Sequence, residues 1–240
     1  MFKLVTAAAL LEADLGDTTF HCQGYVDVGG LRFHCVNATA HGELDLTGAL
    51  EQSCNCYFIN AARALGGQEI LTMAYNLGFG TAQEFGRGLW TSSGDLPSLS
   101  GLENVRALAN FSFGQGDLTV TPLQLCAMMN AICSGGVYAS PKLIEGVVNT
   151  QGELSPASSQ EDVSRKAMSA STSQILKAAL VSAAQEGTGQ VAAPSNGTAG
   201  IKTGTAQTGV FQGEEELLHF WYSGFVQGKD GVCYCITVLK

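Results

Sequence analysis

The hydrophobic pattern of this chain switches period in its last part, and that change most narrows the fold. As far as Gln185 helical intervals predominate, interrupted by two candidate hairpins. The clearest case is Thr172 to Gln185, with Ile175, Leu176, Ala179, Leu180 and Ala183 along one face. Beyond Gly200 the chain turns β-rich. Gly200 to Ala206, Leu217 to Gln227 and Val232 to Leu239 are separated by glycine-rich or acidic turns and should form adjacent antiparallel strands. Helices followed by strands predict an α+β fold, an all-α lobe packed on an antiparallel sheet lobe with a cleft between them.

The helical part divides at its glycines and prolines. Phe2 to Ala13 is rich in alanine and leucine and reads as a buried helix. Phe20 to Val36 reads as a hairpin turning at Gly29-Gly30. Short helices are expected over Leu44 to Gln52, Tyr57 to Leu65 (stopped by Gly66-Gly67) and Gln68 to Asn76. Thr81 to Gly101 reads as loop, Asn104 to Phe111 and Pro122 to Cys133 as helices. Val137 to Asn149 suggests a small hairpin and Gln151 to Arg165 a polar surface loop. The aromatic run Phe220-Trp221-Tyr222, with Phe225, belongs to a sheet core.

Three short motifs carry chemistry. Lys202-Thr203-Gly204-Thr205 offers an ammonium, hydroxyls and a bare backbone position on a strand edge, which suits a carboxylate beside a developing oxyanion. Ser53 and Asn55, two apart, can point to one side of an extended turn. Lys3 lies in the first turn of its helix. Each has a plainer reading alone: an edge-strand lysine, a helix cap, an exposed lysine. Gly114-Gln115-Gly116 lacks the Gly-Lys-Ser/Thr of a phosphate loop, so nucleotide binding is rejected.

Taken in order, Lys3, Ser53-Cys54-Asn55 and Lys202-Thr203-Gly204 resemble the active-site motifs of penicillin-binding protein transpeptidases and serine β-lactamases. Further runs are similar to the class B branch of the penicillin-binding proteins. They include Phe113-Gly114-Gln115-Gly116, Thr121-Pro122-Leu123-Gln124-Leu125, Gly135-Gly136 and Glu186-Gly187-Thr188-Gly189. The resemblance covers nearly the whole chain. It implies a D,D-transpeptidase that cross-links peptidoglycan through an acyl-serine. Lys3 would be the base, and Ser53 would pass a proton to the leaving amine. Asn55 would hydrogen-bond Lys3 and the substrate amide. Lys202 would hold the terminal carboxylate of a D-alanyl-D-alanine stem, helped by Thr203 and Thr205, with Gly204 giving room and the Thr205 N–H facing the oxyanion. β-Lactams would be bound as mimics of the donor.

In the family pattern Ser-x-x-Lys, the nucleophile stands three residues before the lysine, a position outside these 240 residues. The resemblance therefore predicts a partial transpeptidase domain over residues 1–240 that lacks its nucleophile and is inactive. The N-terminal anchor and first strands, and a C-terminal helix, would be missing. The parent protein would be tethered on the extracytoplasmic face of the bacterial membrane with cell-wall synthesis partners. A serine β-lactamase is disfavoured because no Glu-x-x-Leu-Asn occurs between Asn55 and Lys202. A non-catalytic β-lactam sensor is the other alternative.

Composition excludes several other classes. A net charge of −9 argues against nucleic acid and anionic membrane surfaces. No apolar run is long enough to span a bilayer, and no signal peptide is visible. No cofactor is expected. Among the eight cysteines, Cys22 and Cys35 flank the predicted hairpin and could pair. His21-Cys22, His34-Cys35 and His41 also admit a zinc reading. It is set aside because no Cys-x-x-Cys pair supports it and Cys54-x-Cys56 and Cys233-x-Cys235 have the wrong spacing. Free thiols or one disulfide, and no metal, are expected.

Overall fold

Helix α1 (Lys3–Glu12) is buried on every side from Lys3 to Leu10, so the other helices pack around it. The computed structural model describes residues 1–86, 88–144, 146–156 and 163–240. Four short strands follow: β1 (Phe20–Cys22), β2 (Tyr25–Val28), β3 (Leu31–His34) and β4 (Gly42–Leu44). β2 and β3 form the expected hairpin. Gly29 and Gly30 both have positive φ (57° and 78°), as its tight turn requires. β1 instead pairs antiparallel with β4, which sets Cys22 opposite Gly42.

Next come α2 (Leu46–Glu51), α3 (Asn55–Leu65) and α4 (Gly67–Asn76). Gly66 (φ 90°) ends α3, but Gly67 already begins α4, so the expected two-glycine stop is a one-residue break. The region expected to be loop from Thr81 contains a short ribbon, β5 (Glu84–Gly86) with β6 (Leu89–Trp90); Arg87 lies outside the described residues. Helix α5 (Val105–Phe113) starts at Asn104, whose side chain caps Arg106 and Ala107 N–H, and ends at left-handed Gly114. Helix α6 (Pro122–Cys133) carries a full capping box between Thr121 and Gln124, with proline in its first turn.

The stretch from Val137 corrects two expectations. β7 (Val137–Ala139) does not fold back on β8 (Gly146–Val148). β8 pairs with β9 (Leu154–Pro156), and β7 with β10 (Ser164–Lys166). The segment expected to be a polar loop thus supplies two strands, and residues 145 and 157–162 lie outside the described residues. Helix α7 (Ala170–Gln185) then leads to β11 (Thr198–Gln212), β12 (Glu215–Gln227) and β13 (Cys233–Leu239). These form one antiparallel sheet in the order β11-β12-β13. Helices α6 and α7 cover one face of it. Gly200 leaves no room between the two layers: an added Cβ there would meet the Phe225 ring and Leu180 of α7. The mixed α+β arrangement is as expected, and β11 presents its free edge to the helical lobe.

Candidate active site

Lys3 and Lys202 reach the same hydroxyl from opposite lobes. Lys3, in the first turn of α1, places Nζ 2.7 Å from the Ser53 carbonyl oxygen and 3.1 Å from Ser53 Oγ. Lys202, on β11, places Nζ 2.9 Å from Ser53 Oγ and 3.0 Å from the Thr203 carbonyl oxygen. Both lysines are buried, at 6% and 0% exposure. Ser53 sits at the turn between α2 and α3 with φ 51°, a left-handed conformation that is costly for a residue with a side chain.

Burial shapes the proton chemistry. It pushes Lys3 down to about 8, partly opposed by the Cys54, Cys35 and Cys56 thiols. It pushes Lys202 down to about 7, helped by the positive charge of Lys3. A hydroxyl has one proton and two lone pairs, and a neutral amine can accept that proton. The Lys3–Ser53–Lys202 chain can therefore carry protons in either direction at near-neutral pH.

The strand next to Lys202 is positioned by small residues. Thr203 Oγ1 lies 3.0 Å from Thr188 Oγ1, and the Thr188 N–H donates to the Glu51 carbonyl at 3.2 Å. Gly187 and Gly189 allow this because a Cβ at either would meet the Glu51 backbone or the Ile201 side chain. The Glu186-Gly187-Thr188-Gly189 run thus braces β11 against the end of α2. The sequence marked this run but suggested no role for it. Gly204 faces Met1, with its would-be Cβ 3.1 Å from the Met1 nitrogen and 3.4 Å from the Met1 Cγ, so the segment leading into α1 packs directly on β11. Outward from Met1, Gly204 and Thr205 opens a cleft of about 770 Å³, bounded by Gly116, His219 and Trp221.

Asn55 departs from its expected place. It is the first residue of α3, and its amide Nδ2 donates to the His34 carbonyl at 2.8 Å. Among the described residues it makes no hydrogen bond to Lys3. The α3 cap is not Ser53 or Asn55 but Cys54, whose sulfur accepts the Tyr57 N–H at 3.3 Å.

The penicillin binding protein transpeptidase domain family matches this chain over residues 1–240. The chain belongs to this family. Among curated relatives, the transpeptidase domain described here is 30% identical over 211 residues to stage V sporulation protein D of Bacillus subtilis. That match covers 86% of this chain and 32% of the relative. It is 31% identical over 217 residues to penicillin-binding protein PbpB of Mycobacterium tuberculosis, covering 85% and 31%. The chain therefore spans about a third of the length of the curated relatives it matches. Among solved structures, it superimposes on the D,D-transpeptidase domain of a peptidoglycan glycosyltransferase from Eggerthella lenta. The TM-score is 0.85 and the identity 26%, covering all of this chain and 59% of the other. Penicillin binding protein 3 of M. tuberculosis, in complex with aztreonam, gives a TM-score of 0.83 and 26% identity, covering 99% and 55%. The fold and the family are thus those that the three motifs imply. No described helix is long and apolar enough to cross a membrane.

Proposed function

We propose that this domain is the catalytic domain of a peptidoglycan D,D-transpeptidase, acting on D-alanyl-D-alanine stem peptides and acylated by β-lactams. The observation that carries the proposal is the convergence of two buried lysines, one per lobe, on the Ser53 hydroxyl. A serine three residues before Lys3 would lie one helical turn from its amine. Neutral Lys3 would take the serine proton as Oγ attacks the penultimate D-alanine carbonyl. The C–N bond to the terminal D-alanine would break, and the leaving amine would gain its proton through Ser53. An amine of a second stem would then displace the serine and form the cross-link. Lys202, Thr203 and Thr205 would hold the substrate carboxylate. Gly204 would let the substrate backbone approach, and the Thr205 N–H would face the oxyanion.

The names of the relatives support this reading, as does a relative solved with a β-lactam. The parent protein would work on the extracytoplasmic face of the membrane, held there by a segment upstream and accompanied by cell-wall synthesis partners. A polypeptide of these 240 residues alone has no serine in the required place, so it should not acylate.

Intact mass after incubation with benzylpenicillin tests the proposal. An adduct is expected on a version extended upstream through a serine at the third position before Lys3, and none on residues 1–240. Absence of an adduct from a folded, extended version would remove the catalytic reading. Rapid release of hydrolysed drug from that version would favour a β-lactamase instead.

A further inference from the structure

A second group of cysteines lies where α6 packs on β13. Cys126 and Cys133 stand two helical turns apart on α6 and so share a face. Cys233 and Cys235 alternate on β13 with the exposed Tyr234 and Ile236, so both turn away from solvent towards the helices. All four are free thiols and half-buried, and Cys133, Cys233 and Cys235 pack against the main core. Neither sealed in that core nor on open surface, they are placed for chemistry as well as for packing.

The sulfurs make specific contacts. The Cys133 thiol hydrogen-bonds with Cys235 and, to a lesser degree, with Cys233. The Cys126 thiol donates to the Cys235 carbonyl at 3.6 Å, and the Lys177 ammonium of α7 donates to Cys233 Sγ at 3.7 Å. Donation from Cys133 draws Cys235 below the ordinary thiol range, and the same contact, with burial, pushes Cys133 above it. One sulfur of the pair is thus inclined to the thiolate while its neighbour keeps the proton. Cys126 is engaged with backbone and Cys233 with Lys177, which leaves Cys133 and Cys235 to each other.

The position of β13 gives such a pair a consequence. β13 is an outer strand of the sheet, held to β12 along Trp221 to Gln227. β12 in turn pairs with β11, where Ser223 stands opposite Lys202. A covalent link from α6 to Cys235 would fasten this outer strand to the helical layer and stiffen the sheet that carries Lys202.

We propose that Cys133 and Cys235 are a thiol–disulfide site, oxidised by a low-molecular-weight disulfide to an intramolecular bond that ties α6 to β13. The Cys235 thiolate would attack one sulfur of the external disulfide, forming a mixed disulfide and expelling one thiolate. Cys133 would then lose its proton, attack the Cys235 sulfur and expel the second thiolate. The external disulfide gains two electrons, the two cysteines lose two, and their two protons end on the two released thiols. The sequence gave Cys233-x-Cys235 no partner, because the partner lies on a helix that only the fold brings alongside.

The test treats the reduced 240-residue chain with glutathione disulfide, alkylates the remaining thiols and maps tryptic peptides by mass spectrometry. The peptide ending at Lys142 should appear cross-linked to the peptide ending at Lys240, and dithiothreitol should release it. The cross-link should vanish in Cys133→Ser and in Cys235→Ser and persist in Cys126→Ser and Cys233→Ser. Oxidation should raise the melting midpoint of wild type by roughly 5–15 °C more than that of Cys133→Ser. A folded wild type that forms no such cross-link, or carries only glutathione adducts on these cysteines, would overturn the pair. So would a cross-link that persists in Cys133→Ser or in Cys235→Ser. A cross-link formed without the rise would overturn the clamp. The wild-type map decides even if a variant fails to fold, and none of these readouts depends on acylation.

Discussion

Ser53 joins two buried lysines through one oxygen, and removing that oxygen measures what it holds. In Ser53→Ala, Lys202 keeps only the Thr203 carbonyl and Lys3 only the carbonyl of residue 53. A hydrogen bond with a charged partner contributes about 1.5–3 kcal/mol, and an abandoned buried donor costs a similar amount. The turn can relax slightly, so we expect a net loss of about 2–3 kcal/mol. At roughly 2–4 °C per kcal/mol for a chain of this length, the melting midpoint should fall by roughly 5–10 °C. Ser53→Gly loses the same hydrogen bonds but relieves the left-handed backbone at φ 51°. That relief is about 1 kcal/mol, so the glycine variant should melt roughly 2–4 °C above the alanine variant. Thermal melts by circular dichroism on the three proteins give the order wild type, glycine, alanine if the reasoning holds. An alanine variant as stable as wild type would show that the hydroxyl supports neither lysine. A glycine variant below alanine would refute the backbone argument.

Other parts of the molecule give further tests. Lys3 and Lys202 are pushed down to about 8 and about 7 from the ordinary 10.5, so between those values the unfolded chain binds more protons than the folded one. Their burial therefore costs most below about pH 7 and is relieved as pH rises, so the urea midpoint should climb from neutral to about pH 9. The climb should be shallower in Lys202→Met, and equal slopes would contradict it. Gly200→Ala should force the Phe225 ring and α7 away from β11 at a cost of about 1–3 kcal/mol; a denaturant melt unchanged from wild type would deny the close packing there. Tyr234, Ile236 and Val238 project from the outer face of β13 at 63%, 51% and 51% exposure. We expect concentration-dependent self-association through this face, reduced by Ile236→Lys; sedimentation that finds only monomer in both proteins would count against it.

What the sequence made legible was local. The helix bounds at Pro122 and Asn104 follow from capping residues that act within one turn, and the three late strands follow from their β-rich composition and the turns that divide them. The meeting of Lys3, Ser53 and Lys202 was legible only through the order of their motifs, since nothing near Lys3 in sequence distinguishes it from a surface lysine. The pairing of β7 with β10 was not legible. Val137 and Lys166 lie far apart, each strand has three residues, and neither carries a periodic signal strong enough to choose a partner.

The Ser53-Cys54-Asn55 turn shows most clearly where reading by alternation fails. Two residues apart on an extended segment would share a side, and that geometry sends Ser53 and Asn55 to the lysines together. The chain is not extended there. Ser53 is left-handed, Cys54 extended and Asn55 already helical, so successive side chains diverge. Ser53 turns to Lys3 and Lys202, Asn55 to the His34 carbonyl, and Cys54 into the cysteine group with Cys35. One turn is therefore held from two sides, by buried amines on one and by sulfur on the other. The left-handed strain at Ser53 is tolerated because both lysines hold its hydroxyl and the next residue, Cys54, is fixed among the cysteines and at the α3 cap.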